Sequence, residues 1–517
     1  MESSSVLEKG DPREGLPRNV PHDLFDVVEA GEVVAVSDGP RFLGAWTAKL
    51  ESLLGLEARG IERVPEDQRL RKVTVGDYLQ MTLIWFSANL TLNNVAIGIL
   101  GPTAYYLGMT DSMILGVFGV IAGSAGTAYI STFGPLSGNR TLVTARYTMG
   151  WWPSKLCVLL NIVIMLGYGL VDSLLTGQLL SAVSGGSMTV IVGTVIAAVL
   201  ALLVATVGIK LFHIYERYAF VPQICVLFIL IGVAGPYFDR SIQSTGSSSV
   251  VSADRMSYFM LSASAPLAWS PAGADFFVYF PPNASRRWVF LSTLTGLAVG
   301  SFFPLLLGVG LACGSLTNPA WAAAYDISLG ALVDEAFSPL GVFGKICSVI
   351  LGLGLIANNV PGQYSAALSF QLLGRWFRYL PRFVWVIVGT VIYTVLACVG
   401  RNSFYEIFSD FLALMGYWCI MWVWMTLCEE LIFRRGSAWY NWEDWNRPDR
   451  LPIGIAALVA FCIGWVGAVL SMWEIYFTGP IAKLVGDGID LGLPVGGSWA
   501  VIVYVPLRYL ELKYFHR

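Results

Sequence analysis

Apolar runs long enough to cross a lipid bilayer recur along this chain, and one of them holds an acid near its middle. The run is Leu156–Val183, and the acid is Asp172. A transmembrane helix needs about 18 or more consecutive, mostly apolar residues. Only 13% of the residues are charged, against about 25% in a typical soluble domain. The sequence therefore predicts an all-α polytopic membrane protein.

Twelve spans are predicted, and the boundaries divide the chain into three parts. Residues 1–73 form a hydrophilic N-terminal tail that is expected to be largely disordered, because its first part is rich in Gly, Pro, Asp and Glu. Residues 74–511 form the twelve-helix domain, and residues 512–517 a short C-terminal tail. The spans, numbered in order, cover residues 78–103, 112–133, 156–183, 187–207, 217–237, 256–280, 288–312, 338–370, 382–400, 404–428, 452–474 and 494–511.

Basic residues in the short loops predict the orientation of the spans. Loops that follow even-numbered spans hold fourteen Lys and Arg residues, and loops that follow odd-numbered spans hold five. Basic loops stay in the cytoplasm. Both termini are therefore predicted to be cytoplasmic.

Spans one and six are interrupted by helix-breaking residues, and span eight is overlong. Span one contains Gly98 and Pro102, and span six contains Pro266 and Pro271. Two interrupted helices five spans apart indicate a five-plus-five inverted repeat, in which freed backbone groups bind substrate or ions at the midplane. The alternative is that Pro and Gly only kink packed helices. Spans six and eight are each expected to contain an unwound or bent segment.

Asp172 is the first candidate site residue. Charged side chains are costly in a bilayer and usually face a packed interior or a watery cavity. Tyr168 lies one helical turn earlier and so on the same helix face. A carboxylate and a phenol on one face could bind a flat, hydrogen-bonding ligand. The alternative for Asp172 is a structural hydrogen bond between helices.

Amides in span eight form a second candidate site. Asn358 and Asn359 are adjacent in an apolar run, and Gln363 follows Pro361 and Gly362. Each amide offers a donor and an acceptor, which suits the edge of an amide-like heterocycle. Buried amides are costly unless they are paired. A structural polar network at a helix break is therefore the alternative.

Three further residues are candidates on the interrupted spans. Trp269 lies at the break in span six, where its indole could stack on a flat ring, although most tryptophans serve packing. Ser87 could line a cavity from span one or act as a helix contact. Asp275 could couple an ion, cap the second half-helix or face the cytoplasm. Asp172 is the other coupling candidate.

Motifs for enzymatic chemistry and for nucleotide-driven transport are missing from the sequence. It contains no phosphate-binding GxxxxGK[ST] motif, no GxSxG and no HExxH. The three histidines cannot form a metal cluster, and no basic patch indicates nucleic-acid binding. No cofactor or metal is therefore expected. Any accumulation of a ligand would be driven by an ion gradient.

Several motifs in order resemble the fungal cytosine–purine permeases of the nucleobase–cation symporter family. The resemblance extends from about Gly60 to near the C-terminus. Its motifs are GIERVPEDQR, WFSAN, GPLSGNRTLVTARYTMGWWPSKL, AWSPAGADFFVYFP, ANNVPGQYS, YNWEDWNRPDRLPIGIAA and GPIAKLVGDGIDLG. The resemblance implies the LeuT-like inverted-repeat fold with two extra C-terminal helices. It also implies import of a base by proton symport at the plasma membrane, with substrate contacts at Ser87, Trp269, Asn358 and Asn359.

Three positions depart from the family pattern. Family members typically have Trp-x-x-x-Asn in span three, where this chain has Tyr168 and Asp172. They typically have NNVPN in span eight, where Gly362 replaces the last Asn. The resemblance places all three positions in the binding pocket. Cytosine specificity therefore does not follow from family membership.

Three functions are compatible with these observations. The first is proton-coupled import of a purine or cytosine-like base, with Na⁺ as the alternative coupling ion. The second is a permease for vitamin B6 or a specialised metabolite on the same scaffold. The third is a sensor that binds its ligand without transport. The expected partners are a small heterocycle and the lipid bilayer, and the oligomeric state stays open.

Overall fold

Helices make up nearly all of the regular structure. The computed structural model describes residues 60–207, 209–378, 380, 382–434, 440–485 and 488–517. The longer helices are α1 (Val75–Asn89), α2 (Leu92–Ala104), α3 (Met109–Ser131), α4 (Ser154–Val183), α5 (Val190–Val207), α6 (Ile209–Ala234), α7 (Ser248–Leu267), α8 (Arg286–Ser315), α9 (Pro319–Ile327), α10 (Leu329–Ala336), α11 (Val342–Leu373), α12 (Arg382–Val399), α13 (Phe404–Cys428), α14 (Ile455–Ser471) and α15 (Gly492–Phe515).

Short elements connect these helices. Brief α-helical turns cover Phe133–Ser137, Thr141–Thr144, Arg146–Met149, Arg375–Arg378 and Pro480–Val485. Turns of 3₁₀ helix cover Glu66–Gln68, Gly235–Tyr237, Ser270–Phe277, Ser338–Leu340 and Trp442–Asn446, and a π-helical turn covers Glu429–Phe433. An antiparallel hairpin pairs β1 (Trp473–Glu474) with β2 (Phe477–Thr478).

The apolar helices match the positions of the predicted spans. In the described part, eight helices are long and apolar enough to cross a membrane, and α1 with α2 forms a ninth, bent span. The helices α5 and α14 are apolar but shorter, and α7 continues into the 3₁₀ turn Ser270–Phe277. A polytopic all-α membrane fold follows. The count of twelve crossings and the inverted repeat stay predictions.

The break in span one lies at Leu90 and Thr91 and not at Gly98 or Pro102, which both lie inside α2, whereas the break in span six follows from its prolines. Helix α1 begins at a capping box, in which Thr74 and Asp77 exchange hydrogen bonds, and it ends at Asn89. Helix α2 leaves at an angle of 57°. In span six, Pro266 and Pro271 lack the N–H that an α-helix needs, and the chain tightens from α to 3₁₀ there.

The structure shows no unwound segment in span eight, because α11 continues through Pro361 as one helix of 32 residues, and a bend there stays a prediction. A single Pro removes one backbone hydrogen bond, and a long packed helix tolerates that loss.

The helices pack in three groups. The first contains α1, α2, α3, α7 and α8, and a Cβ at Gly98 of α2 would collide with the Leu305 carbonyl of α8. The second surrounds α4 with α5, α10, α11 and α12, and the third contains α13, α14 and α15. Helix α4 therefore lies in the centre, in contact with α2, α11 and α13.

One end of the bundle, called here the basic end, carries Arg140, Arg286 and Arg434. Of the predicted N-terminal tail, residues 1–59 lie outside the described residues. The adjoining segment packs against the basic end. Arg69 is 4% exposed and donates hydrogen bonds to the carbonyl groups of Val64, Pro135 and Ser137.

Candidate functional site

The centre of α4 presents Tyr168 and Asp172 on one face, as their spacing predicts. The Tyr168 ring lies nearly parallel to Trp269, with 6.1 Å between ring centroids and 18° between planes. Its hydroxyl donates to the Ala265 carbonyl at 3.3 Å, and its edge meets Phe411. Tyr168 is thus fixed against span six, next to the change from α to 3₁₀ helix.

Asp172 is 1% exposed and is held by two amides from two different helices. Asn93, the second residue of α2, donates from Nδ2 to Asp172 Oδ1 at 2.6 Å. Asn358 of α11 donates from Nδ2 to Asp172 Oδ2 at 3.4 Å. No ion pair to Asp172 is formed by the described residues. The carboxyl group therefore depends on neutral donors at the break of span one.

A second polar layer begins at the next residue of α11 and includes Gln363, one turn further. Asn359 donates to Ser173 Oγ at 3.4 Å and to the Tyr393 hydroxyl at 3.3 Å. Gln363 donates to the same hydroxyl at 2.6 Å. Because Tyr393 belongs to α12, this layer joins α4, α11 and α12. All three helices belong to the second packing group, so this layer fixes α4 and α11, the helices that carry Asp172 and Asn358.

Aromatic rings form the other wall of the site. Trp269 contacts Trp85 edge to face at 6.0 Å, and Trp85 contacts Phe276 at 4.6 Å. A flat ring between Tyr168 and Trp269 would need about 3.5 Å of van der Waals distance on each side. The present centroid distance of 6.1 Å is smaller than that sum. Because the gap between the ring planes is no larger than the centroid distance, a ligand stacked between the two rings would have to separate them by at least about 1 Å.

The candidate residues do not all meet at one place. Tyr168, Asp172, Trp269, Asn358, Asn359 and Gln363 lie together as described above. Ser87 is half-buried on α1, two residues after Trp85, and no hydrogen bond of its hydroxyl joins it to the cluster in the described part of the chain. Gly362 lies beside Met165, and a Cβ there would meet no atom closer than 3.9 Å. A Cβ atom is therefore tolerated at that position without a shift of its neighbours.

Asp275 lies away from Asp172, at the basic end. Its Oδ1 accepts hydrogen bonds from the backbone N–H and the hydroxyl of Thr141, at 2.6 and 2.7 Å. Thr141 begins a short helix, so Asp275 joins the 3₁₀ turn of span six to the loop between α3 and α4. In this conformation the carboxylate caps a helix.

Two residues of the cluster, Ser173 and Tyr393, are not among the candidates from sequence. Asn93 could be expected only as one of several polar residues of span one that line a cavity or act as helix contacts. Tyr393 is the one tyrosine of α12, a mostly apolar helix. Its partners come from α11, and a single sequence does not show which helices are neighbours.

The described residues contain no group of three or more His, Cys, Asp or Glu side chains that could hold a metal ion. The polar groups at the site are amides, hydroxyls and one carboxyl group. Such a set can bind a small polar heterocycle by hydrogen bonds, while the aromatic wall contacts its ring face.

Comparison with known proteins adds family relationships to this geometry. The sequence model of a family described as permeases for cytosine/purines, uracil, thiamine and allantoin matches residues 64–496. The purine-cytosine permease FCY2 of Saccharomyces cerevisiae is 32% identical over 518 residues, covering 95% of this chain and 91% of its own. The purine-cytosine permease fcyB of Emericella nidulans is 32% identical, covering 91% of each chain. The vitamin B6 transporter TPN1 of Saccharomyces cerevisiae is also 32% identical, covering 92% of this chain and 90% of its own.

Solved structures show a shared fold. Mhp1, a nucleobase-cation-symport-1 family transporter in a closed conformation with bromovinylhydantoin bound, matches with a TM-score of 0.62. The sequences are 15% identical, and the match covers 84% of this chain and 92% of that chain. A Na⁺-coupled sialic acid symporter matches with a TM-score of 0.55 and 14% identity, covering 91% and 97%. The LeuT-like fold expected from the resemblance is therefore confirmed.

Proposed function

This chain belongs to the family of permeases for cytosine/purines, uracil, thiamine and allantoin, and from that premise we propose that it imports a purine or cytosine-like base by secondary active transport. It is a multi-span membrane permease and not an enzyme. Relatives named purine-cytosine permeases support the class of substrate. The fungal relatives also support a plasma-membrane location, with the basic end in the cytoplasm.

One observation carries the proposal most directly. Asp172 is held by amides from α2 and α11, one helical turn from the parallel rings of Tyr168 and Trp269. A flat base needs both kinds of contact, since its faces are aromatic and its edge carries hydrogen-bonding groups. In the proposed complex, the two rings border the base. Asn358, Asn359 and Asp172 bind its polar edge.

The packing groups support a mechanism of alternating access. The site lies between the group that contains both halves of span one and the group that surrounds α4. Rocking of the first group against the second would expose Asp172 to one side of the membrane and then to the other. The break between α1 and α2 lets the two halves of span one move separately, because no continuous helix joins them.

A proton is the proposed coupling ion, and Asp172 its proposed carrier. Asp172 is the ionisable group at the junction of the moving parts, and its hydrogen-bond partners are neutral. An acid in that position can take up a proton on one side and release it on the other. Asp275 is the second coupling candidate, although its carboxylate caps a short helix here. Na⁺ stays the alternative ion.

Vitamin B6 is the second candidate substrate. The vitamin B6 transporter TPN1 matches this chain at the same 32% identity as the purine-cytosine permeases. Tyr168, Asp172 and Gly362 also depart from the pattern of base-transporting family members. The choice between the two substrates therefore depends on experiment.

Uptake measurements test the proposal. The full chain is expressed in yeast that lacks its own base and pyridoxine transporters, and uptake of labelled adenine, cytosine, hypoxanthine and pyridoxine is measured at an acidic and a near-neutral external pH. We expect accumulation of at least one base, faster at acidic pH. Accumulation of pyridoxine alone would favour the second candidate. Binding without accumulation would contradict transport and indicate a sensor.

A further inference from the structure

Resting on the proposed function, we infer that this permease selects bases by an exocyclic amino group, and that Asn93 is a residue that determines this specificity. The amides of Asn93 and Asn358 are the acceptors that bind the amino group. A base with an amino substituent is then preferred over the same ring with an oxo substituent.

The orientation of both amides follows from Asp172. A carboxylate has only acceptors, so an amide that contacts it must present its NH₂ group. Asn93 Nδ2 lies 2.6 Å from Oδ1, and Asn358 Nδ2 lies 3.4 Å from Oδ2. A reversed amide would bring two oxygens into contact without a proton between them. The amide oxygens of both residues therefore point away from Asp172.

Those oxygens are buried and have no hydrogen-bond partner among the residues that the structure describes. Asn93 Oδ1 and Asn358 Oδ1 both lack one, although the two side chains are only 5% and 9% exposed. The next layer repeats the pattern, because Asn359 Oδ1 and Gln363 Oε1 are also unpaired while their NH₂ groups donate to Tyr393. An unpaired buried acceptor is costly, and a ligand with N–H groups relieves that cost.

The aromatic hydroxyl beside Asp172 is already used as a donor, because Tyr168 donates to the Ala265 carbonyl. The Tyr393 hydroxyl accepts from both Asn359 and Gln363 in the second polar layer and keeps its own proton to donate there. Trp85, which contacts Trp269, has a buried indole N–H with no partner among the described residues. The amides around Asp172 thus offer acceptor oxygens to a ligand.

An exocyclic amino group can satisfy two acceptors from one nitrogen, because it carries two N–H bonds. The two amides with unpaired oxygens meet at one carboxylate through their NH₂ groups. An oxo group at the same position of the ring would place its lone pairs against these oxygens and leave both unpaired. Sites built around such hydrogen bonds discriminate strongly against the analogue that lacks the donor.

The test uses pairs of bases that differ in one exocyclic group. Adenine is compared with hypoxanthine, and cytosine with uracil, as competitors of labelled uptake by the full chain in transporter-null yeast. We expect each amino base to compete at about tenfold or more lower concentration than its oxo partner. Equal potency, or preference for the oxo bases, would overturn the inference while leaving transport intact. A lack of uptake of any base would overturn the proposed function and this inference with it.

A pair of variants tests the role of Asn93. In Asn93→Leu, we expect the amino-to-oxo ratio to fall toward one. The control is Asn161→Leu, on the same helix as Asp172 but about 16 Å away. Asn161 is also buried, donates to Ser369 of α11 at 2.9 Å and has an unpaired Oδ1. Its loss should leave the ratio unchanged.

Retention of the full ratio by Asn93→Leu would overturn the role of Asn93. Surface expression of each variant is measured in parallel. If Asn93→Leu does not reach the membrane, Asn93→Gln, which keeps an amide but moves it by one methylene, provides the second comparison. The wild-type ratios need no variant and decide the preference for amino bases by themselves.

Discussion

Asp172 has two amide neighbours and no cation, and this limits what a substitution at the position can preserve. In Asp172→Asn, the new side chain has one oxygen and one NH₂ group, so either Asn93 or Asn358 must turn its amide. A hydrogen bond to a charged partner contributes about 1.5–3 kcal/mol, so uptake of the native substrate should fall about tenfold or more. Its dependence on external pH should also disappear.

The measurement for Asp172→Asn is initial uptake rate at an acidic and a near-neutral pH. Asp334→Asn is the matched control, because Asp334 is an acid of α10 that accepts from Ser348 at 2.9 Å and takes no part in the cluster. Unchanged uptake together with unchanged pH dependence in Asp172→Asn would show that the role assigned to this residue is wrong.

Trp269 provides a second prediction for a single residue. Stacking of a base on an aromatic ring contributes about 1–3 kcal/mol, so Trp269→Ala should raise KM about 5- to 150-fold. Trp288→Ala is the control, since Trp288 is 59% exposed at the start of α8. Concentration dependence of uptake gives KM for both variants. A KM that rises equally in both would indicate general damage rather than lost stacking.

The sequence predicts part of this site through local spacing. Tyr168 and Asp172 are four residues apart, and helix geometry alone places them on one face. Tyr393 does not follow from the sequence, because its contacts to Asn359 and Gln363 cross from α11 to α12. The contact of Asn93 with Asp172 does not follow either, since the two residues lie on different helices. Contacts between helices need the fold.

At the scale of elements, the structure shows the interruptions predicted for spans one and six, and it shows no unwinding in span eight. Pro266 and Pro271 are close together, and two missing donors change the type of helix there. Pro361 stands alone in α11, and the helix continues. Spacing of prolines therefore explains the interruption of span six and the continuity of span eight.

The hairpin between α14 and α15 supplies a prediction on pH. The Tyr417 hydroxyl lies 2.7 Å from Glu474 Oε1 and 2.8 Å from Asp490 Oδ2. A phenol has one proton, so one of the two carboxyl groups must hold a proton for both contacts to be hydrogen bonds. Helix α14 ends at Ser471, before the predicted end of span eleven, so Glu474 and Asp490 lie between α14 and α15 and outside both helices. Burial raises the pKa of each above its ordinary value.

A raised pKa means that the folded protein keeps a proton that the unfolded chain would release. Stability is then lost as pH rises above about 4.5, the ordinary pKa of Glu474. We expect the Tm of the purified protein to fall with increasing pH, and Glu474→Gln to make the curve flatter. Glu62→Gln, at an exposed position, is the control. Equal slopes in the wild type and Glu474→Gln would contradict this account.

At the scale of the whole molecule, adjacent glutamates connect the third packing group to its neighbours. Glu429 is fully buried and accepts from Arg508 of α15 at 3.0 Å, as well as from Arg434 and Tyr504. Glu430 accepts from Arg286 of α8 at 2.6 Å and from Tyr129 of α3 at 2.5 Å. One glutamate holds α13 to its own group, and the next holds it to the group that contains span one.

The two contacts differ in their access to water. Arg508 is 1% exposed, whereas the Arg286 side chain is 36% exposed. An ion pair that reaches water costs little to open, whereas removal of one partner from a buried pair costs about 3–5 kcal/mol. Glu430–Arg286 is therefore the contact that can open during transport. Glu429–Arg508 holds α13 and α15 together.

This difference in exposure to water predicts different effects for substitutions of the adjacent residues Glu430 and Glu429. Glu430→Gln weakens the bond to Arg286, so amide hydrogen exchange in residues 129–137 and 286–290 should become faster while Tm changes little. Glu429→Gln removes one of the two carboxylates that pair with the buried Arg508 and leaves Glu511 as the other, so Tm should fall and exchange should rise in α15. Hydrogen-exchange mass spectrometry and thermal unfolding of both variants provide the measurements. If Glu430→Gln leaves exchange in residues 129–137 unchanged, the basic end does not open through this contact, and rocking of the first group must be controlled elsewhere.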